Sequence, residues 1–213
     1  MLLRLLLKLL KQNKSMLPIR LLIIGDSFAC NWPGEYAGWP ELLSSDFDTT
    51  NIAQAGASEY RIWLQLKSQC VDDFDFVVVS HSSPFRVFVK DHPIHYSGLH
   101  ANSDLIFNDV DRYRPWNTRL QTIRNWFRFY FDEQYHHDIY SMIRREIMQL
   151  IPAEKYICTT HSYHRRDCVP ELHNIDFTEI WAANRGIVNH YTRDGNLLVY
   201  KMIEHEIYSR LGI

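Results

Sequence analysis

Two short apolar runs constrain this chain more than any other feature. Residues 19–24 (IRLLII) and 74–80 (FDFVVVS) are nearly continuous hydrophobic segments of strand length. Such runs suit strands buried on both faces, as in a parallel sheet covered by helices, and not the alternating strands of a half-exposed sheet. Residues 51–53 close a further short strand, and 155–159 (KYICT) read as another. Between them lie helical patterns at 57–69, 117–131 and 137–150, the last continuing the one before it. A final helix runs from Thr192 to about Leu211, with Val199, Ile203, Ile207 and Leu211 every four residues. Strand alternating with helix predicts an α/β fold: a mostly parallel, five-stranded sheet with helices on both faces.

At 213 residues the chain is of single-domain size. The domain is expected to span residues 16–213. Residues 84–116 hold three prolines, one glycine and little periodicity, and read as an insertion over the site. Ahead of the domain, residues 1–15 (MLLRLLLKLLKQNKS) set Arg4, Lys8 and Lys11 as a basic stripe on a leucine face. The expectation is a segment outside the domain, with Met16 as the alternative start; membrane-surface association is the competing reading. No apolar run approaches the ~20 residues of a membrane span. The 23 basic and 25 acidic side chains give a net charge of −2, against a nucleic-acid footprint. Four scattered cysteines favour a reducing compartment, and the cytoplasm is the expected location.

In parallel sheets the ligand site lies beyond the carboxyl ends of the strands, so chemistry should sit just after each one. After the first stand Gly25, Asp26, Ser27 and Phe28. No further glycines at dinucleotide spacing follow, and no Walker lysine, so neither a nucleotide nor a flavin is expected and no cofactor is assigned. What remains is a serine at a strand-to-loop corner. After the second strand, Gly56 precedes Ala57 and Ser58, where a glycine amide can approach a ligand closely. Near the far end His190 stands two residues before Thr192, a natural N-cap for the last helix. A serine nucleophile needs a base within hydrogen-bond reach, and imidazole is the usual one.

In order and spacing these residues resemble the SGNH (GDSL-type) hydrolase superfamily, with 84–150 unmatched in detail. The resemblance implies a three-layer α/β/α, flavodoxin-like fold and serine ester hydrolysis. Ser27 would be the nucleophile, His190 the base, and the amides of Ser27 and Gly56 two oxyanion donors. Two positions depart from the family. Its asparagine after strand three is replaced by Ser80-His81-Ser82-Ser83-Pro84, leaving Ser82, Ser83 or His81 as substitute third donor. Its aspartate three residues before the histidine is Ile187, so a Ser-His pair, or an acid such as Asp176 or Glu179, would have to serve.

Asp26, His81, Arg86 and His161 are the expected substrate contacts. Arg86 is read either as meeting an anionic substrate or as forming a helix-facing salt bridge. The Cys158, His161, His164, Cys168 group lacks a standard zinc spacing, and no metal is assigned. The stripe Trp126, Phe127, Tyr130 and Phe131 reads as core. His92, His95, Tyr96, His100 and Tyr113 make the insertion polar, favouring a short acyl ester, plausibly on a carbohydrate, over a long lipid chain. The rate should rise as His190 loses its proton, across the histidine range of about pH 6–8. The alternative is a non-catalytic domain that binds a glycan or a protein.

Overall fold

The computed structural model describes residues 18–112, 118–160, 175–176 and 178–213. Four parallel strands carry the sheet: β1 (Arg20–Gly25), β2 (Asp48–Asn51), β3 (Phe76–Ser80) and β4 (Tyr156–Thr160), in the order β2-β1-β3-β4. A two-residue β5 (Ile175–Asp176) pairs with Thr159 and Thr160 at the β4 edge. The register aligns Ile23 with Asn51, Gly25 with Ser80, and Ser80 with Thr159. The strands therefore end nearly level, and the loops that follow them open at one edge of the sheet.

Side chains on a strand alternate between its two faces, and both faces here are apolar. Leu21, Ile23, Phe76, Val78 and Ile157 meet Trp39 and Leu43 of α1 (Trp39–Leu43) and Val199, Ile203 and Ile207 of α7 (Arg193–Arg210). Leu22, Ile24, Val77, Val79 and Cys158 meet Ile62 and Leu66 of α2 (Glu59–Lys67) and Ile147 of α5 (Glu133–Leu150). The four-residue apolar spacing at the end of the chain is thus the inner face of a covering helix. Among the described residues, no helix is long and apolar enough to cross a membrane.

The segment after β3 is more ordered than its composition suggests. Val87 bridges Leu105 in antiparallel fashion, and α3 (Phe107–Arg112) follows. Leu105 and Val110 bury against Leu120 and Phe127 of α4 (Thr118–Phe129), a small second core. The aromatic stripe divides accordingly: Phe127 is buried, Trp126 and Phe131 pack against it, and Tyr130 is exposed. Helix α5 starts at Glu133 because Asp132 caps it, accepting the Tyr135 amide at 2.8 Å. The two helical patterns are therefore separate elements.

Thr192 caps α7, its Oγ1 accepting the Gly195 amide at 3.2 Å. Replacement of Thr192 by alanine should cost about 1 kcal/mol of unfolding free energy, the usual value of such a cap. Chemical denaturation of the two proteins measures it, and an unchanged midpoint would remove the cap from the account.

Candidate active site

Ser27 occupies the turn directly after β1. Asp26 shapes that turn, its Oδ1 accepting the Phe28 amide at 3.0 Å while its carbonyl accepts the amides of Ala29 and Cys30. Trp32 Nε1 donates to the Ser27 carbonyl at 2.8 Å. From α2, the Gln65 side chain both accepts from the Gly25 amide (2.8 Å) and donates to the Gly25 carbonyl (3.1 Å), pinning the end of β1. The corner is close-packed: a Cβ on Gly25 would lie 2.6 Å from Ser80 Cβ.

His190 comes to this corner from the opposite end of the chain. It follows β6 (Arg185–Val188), on a tight reversal where Asn189 and His190 take φ of 48° and 60°. Positive φ on non-glycine residues is uncommon and persists only where the surroundings enforce it. Here Tyr191 bridges back to Arg185 and Val188, and Asn196 of α7 donates to the carbonyls of Val188 and Thr192. Buried Asn189 donates through Nδ2 to the Cys30 carbonyl at 2.5 Å, joining the histidine loop to the serine loop. The result is a distance of 2.8 Å between His190 Nε2 and Ser27 Oγ. The imidazole packs on the Phe28 ring (centroids 4.4 Å apart) and meets the Trp32 ring edge-on at 5.6 Å.

Gly56 holds a φ of 73°, and a Cβ there would lie 2.6 Å from Ser103 Cβ. Among the described residues, the amides of Ser27 and Gly56 donate to no protein acceptor. Ser27, Gly56 and His190 line one cavity of about 800 Å³. Its other walls carry Asp26, Arg86, His100 and Asn108 beside the rings of Phe85, Phe107 and Trp181. Of the expected contacts, the structure thus brings Asp26, Ser82 and Arg86 to the cavity with the serine, the glycine and the histidine.

Two expectations are corrected. His81 is 2% exposed and lies off the cavity, in a buried network. Its Nδ1 pairs with Glu59 Oε1 at 2.5 Å and its Nε2 with the Tyr156 hydroxyl at 2.8 Å. Burial and Arg144 push the proton off this ring, the Glu59 carboxylate holds it on, and the net direction is upward. His81 is a structural group under the β3 loop and not a substrate contact. Ser82 lines the cavity, but both its donors are engaged: Oγ–H to the Ala57 carbonyl (2.6 Å) and N–H to Glu59 Oε2 (3.1 Å). It has no hydrogen left for an oxyanion. Ile187 is 79% exposed, so the position three before His190 supplies no acid. Glu179 is exposed on α6 (Thr178–Ala183), and Asp176 lies in β5. His161, His164, Cys168 and Tyr113 lie outside the described residues; Cys158 is buried in β4.

Asp104, to which the sequence reading gave no role, ties the insertion to the site. It is fully buried. Its Oδ2 accepts from the Ser58 amide (2.8 Å) and Arg61 Nε (3.0 Å), and its Oδ1 from Arg61 Nη2 (2.6 Å) and the Val89 amide (3.1 Å). Its own amide donates to the Gly56 carbonyl at 2.8 Å. A lone aspartate among prolines and histidines carries no local signal for this. Only Arg61, a basic residue on the first turn of α2, hints at a buried counter-charge.

His92 is also buried, its Nδ1 accepting the amides of Ile94 and His95 and its ring 4.5 Å from that of His95. Burial first, and then the neighbouring His95, pull it down to about 4. An unfolded histidine titrates near 6.5, so between those values the unfolded chain binds more protons and stability falls as pH drops. The melting temperature should fall less steeply from pH 7 to pH 4.5 in His92→Asn, which keeps an acceptor for the two amides. Parallel curves for the two proteins would refute this.

No protein-family model matches the chain, and no curated protein matches it. A crystal structure from Bacteroides fragilis NCTC 9343, described as a "putative acylhydrolase", is similar at 12% identity and a TM-score of 0.41, over 94% of each chain. A likeness at that level assigns no activity.

Proposed function

We propose that the protein is an SGNH-type serine ester hydrolase with a three-layer, flavodoxin-like fold. The observation that carries this is the 2.8 Å approach of His190 Nε2 to Ser27 Oγ, 163 residues apart in sequence, in a cavity at the carboxyl ends of parallel strands. Ser27 Oγ attacks the acyl carbon while its proton passes to His190 Nε2. The carbonyl pair moves onto oxygen, where the amides of Ser27 and Gly56 donate to it. Collapse expels the alcohol, which takes the proton from His190 and leaves the acyl group on Ser27. Water then adds by the same route, releasing the acid and restoring the serine.

The substrate class we propose is a short acyl group on a polar alcohol of sugar size. An acetyl group fills little of about 800 Å³, and the rest joins aromatic rings to guanidinium, amide and carboxylate groups. Faster turnover of long-chain than of acetyl esters would overturn this. The test of the chemistry is one assay, an activated acetyl ester with wild type, Ser27→Ala and His190→Ala. Asp176→Asn and Glu179→Gln, run alongside, ask whether either acid supports the imidazole.

A second reading has its own observation. Ile187 in place of an acid, with both Ser82 donors engaged, suits a domain that binds a glycan or a protein partner without turning it over. Equal rates in wild type and both variants would favour it.

A further inference from the structure

Arg86 stands out among the cavity's charged groups. It is half-buried, and Nη1 donates to the Asp104 carbonyl at 3.1 Å. That is the guanidinium's single hydrogen bond among the described residues, and no described carboxylate lies within ion-pair distance. The nearby Asp104 carboxylate is committed to Arg61 at 2.6 Å. Arg86 Nε is fully covered and donates to nothing. A guanidinium carries five donors and keeps its charge, and holding it partly out of water without a counter-ion is costly. Among the described residues, the helix-facing salt bridge that the sequence allowed is not formed.

Its place gives the missing partner. A Cβ built on Gly56 would lie 3.3 Å from Arg86 Nη1, so the guanidinium sits against a glycine that lines the cavity. We propose that Arg86 is the third oxyanion group, taking the charge that develops on the acyl oxygen. It stands in from the insertion for the asparagine absent after β3. The inference rests on the Ser27–His190 reading of the site. In an ester the acyl oxygen is neutral, and it gains a full negative charge only as the Ser27 Oγ–carbon bond forms. A fixed cation beside Gly56 therefore acts mainly in the transition state, and its loss should appear in kcat and not in KM.

The experiment compares wild type, Arg86→Met, Arg86→Lys and Ser27→Ala on p-nitrophenyl acetate, a neutral ester, and on the p-nitrophenyl monoester of succinate, an anionic one. Arg86→Met should lower kcat about 10²-fold on both, with KM changed less than about threefold. Arg86→Lys, which keeps the charge but not the planar fork, should recover part of that loss. Weaker inhibition of Arg86→Lys by a small alkylboronic acid, which mimics the tetrahedral adduct on Ser27, reads the same interaction and stands if Arg86→Met does not fold. Full kcat on the neutral ester with a raised KM on the anionic one would make Arg86 a substrate-anion contact and overturn the proposal. Unchanged kinetics and boronate inhibition in Arg86→Lys, with Arg86→Met either unaltered or unfolded, would overturn it too. Wild-type activity in Ser27→Ala would instead remove the hydrolase reading beneath it.

Discussion

Ser27→Ala and His190→Ala should each lower kcat on an activated acetyl ester about 10²–10³-fold, and the double variant should be no slower than either. The two groups act as one unit: without the imidazole the hydroxyl is a poor nucleophile, and without the hydroxyl the imidazole has nothing to activate. In a full triad the loss reaches ~10⁶, and the acid contributes on the order of 10⁴ of it. Ile187 stands at the acid's usual place; where no other acid reaches His190, wild type starts lower and the measured drop is compressed. If Asp176→Asn or Glu179→Gln also falls by 10²-fold or more, an acid does reach His190, and the Ser27→Ala loss should then be correspondingly larger. Retention of more than half the rate in Ser27→Ala would end the nucleophile assignment.

What could be read from the sequence follows from how local each signal is. The valine run of β3 and the four-residue spacing of α7 fix a buried strand and a covering helix, since each records its burial in its own residues. Thr192 likewise announces the start of α7, and so places His190 on a short loop. The distances that make a site are not local. Nothing near Gln65 says that its amide holds Gly25, and nothing near Asn189 says that it ties the histidine loop to Cys30. Both are ordinary polar residues whose partners arrive only with the tertiary fold.

The errors have a common cause as well. His81 and Ser82 read as site residues from the sequence because they follow β3, and strand ends are where ligands bind. Position after a strand does not say which way a side chain faces. Glu59, on the first turn of α2, reaches across to the β3 loop and holds His81 and the Ser82 amide itself. The buried carboxylate takes the donors that an oxyanion would have needed. The segment after β3 carries order that its composition does not signal. Its prolines and histidines hide the Val87–Leu105 bridge and the apolar contacts with α4, because a core divided between an insertion and a distant helix has no periodicity of its own.

Asp104→Ala is expected to be the most destabilising single change, at about 3–5 kcal/mol, the usual cost of removing one partner from a buried ion pair. The carboxylate is fully covered and accepts four hydrogen bonds, two from Arg61 and one each from the Ser58 and Val89 amides. Its removal strands a largely buried guanidinium and two amides, none of which can turn to water without opening the contact between the insertion and α2. Against a total stability of roughly 5–15 kcal/mol this is a large fraction. For a chain of this size the melting temperature should fall by roughly 6–20 °C. The effect should pass to the chemistry, because the Asp104 amide holds the Gly56 carbonyl and its own carbonyl holds Arg86. Below the melting transition, kcat should drop while Ser27 and His190 remain in place. A double variant separates the stranded charge from lost packing. Arg61→Met removes the orphaned guanidinium, so Asp104→Ala/Arg61→Met should be more stable than Asp104→Ala alone. A melting temperature for Asp104→Ala within 2 °C of wild type would mean that the insertion is held by its apolar contacts with α4 and not by this carboxylate.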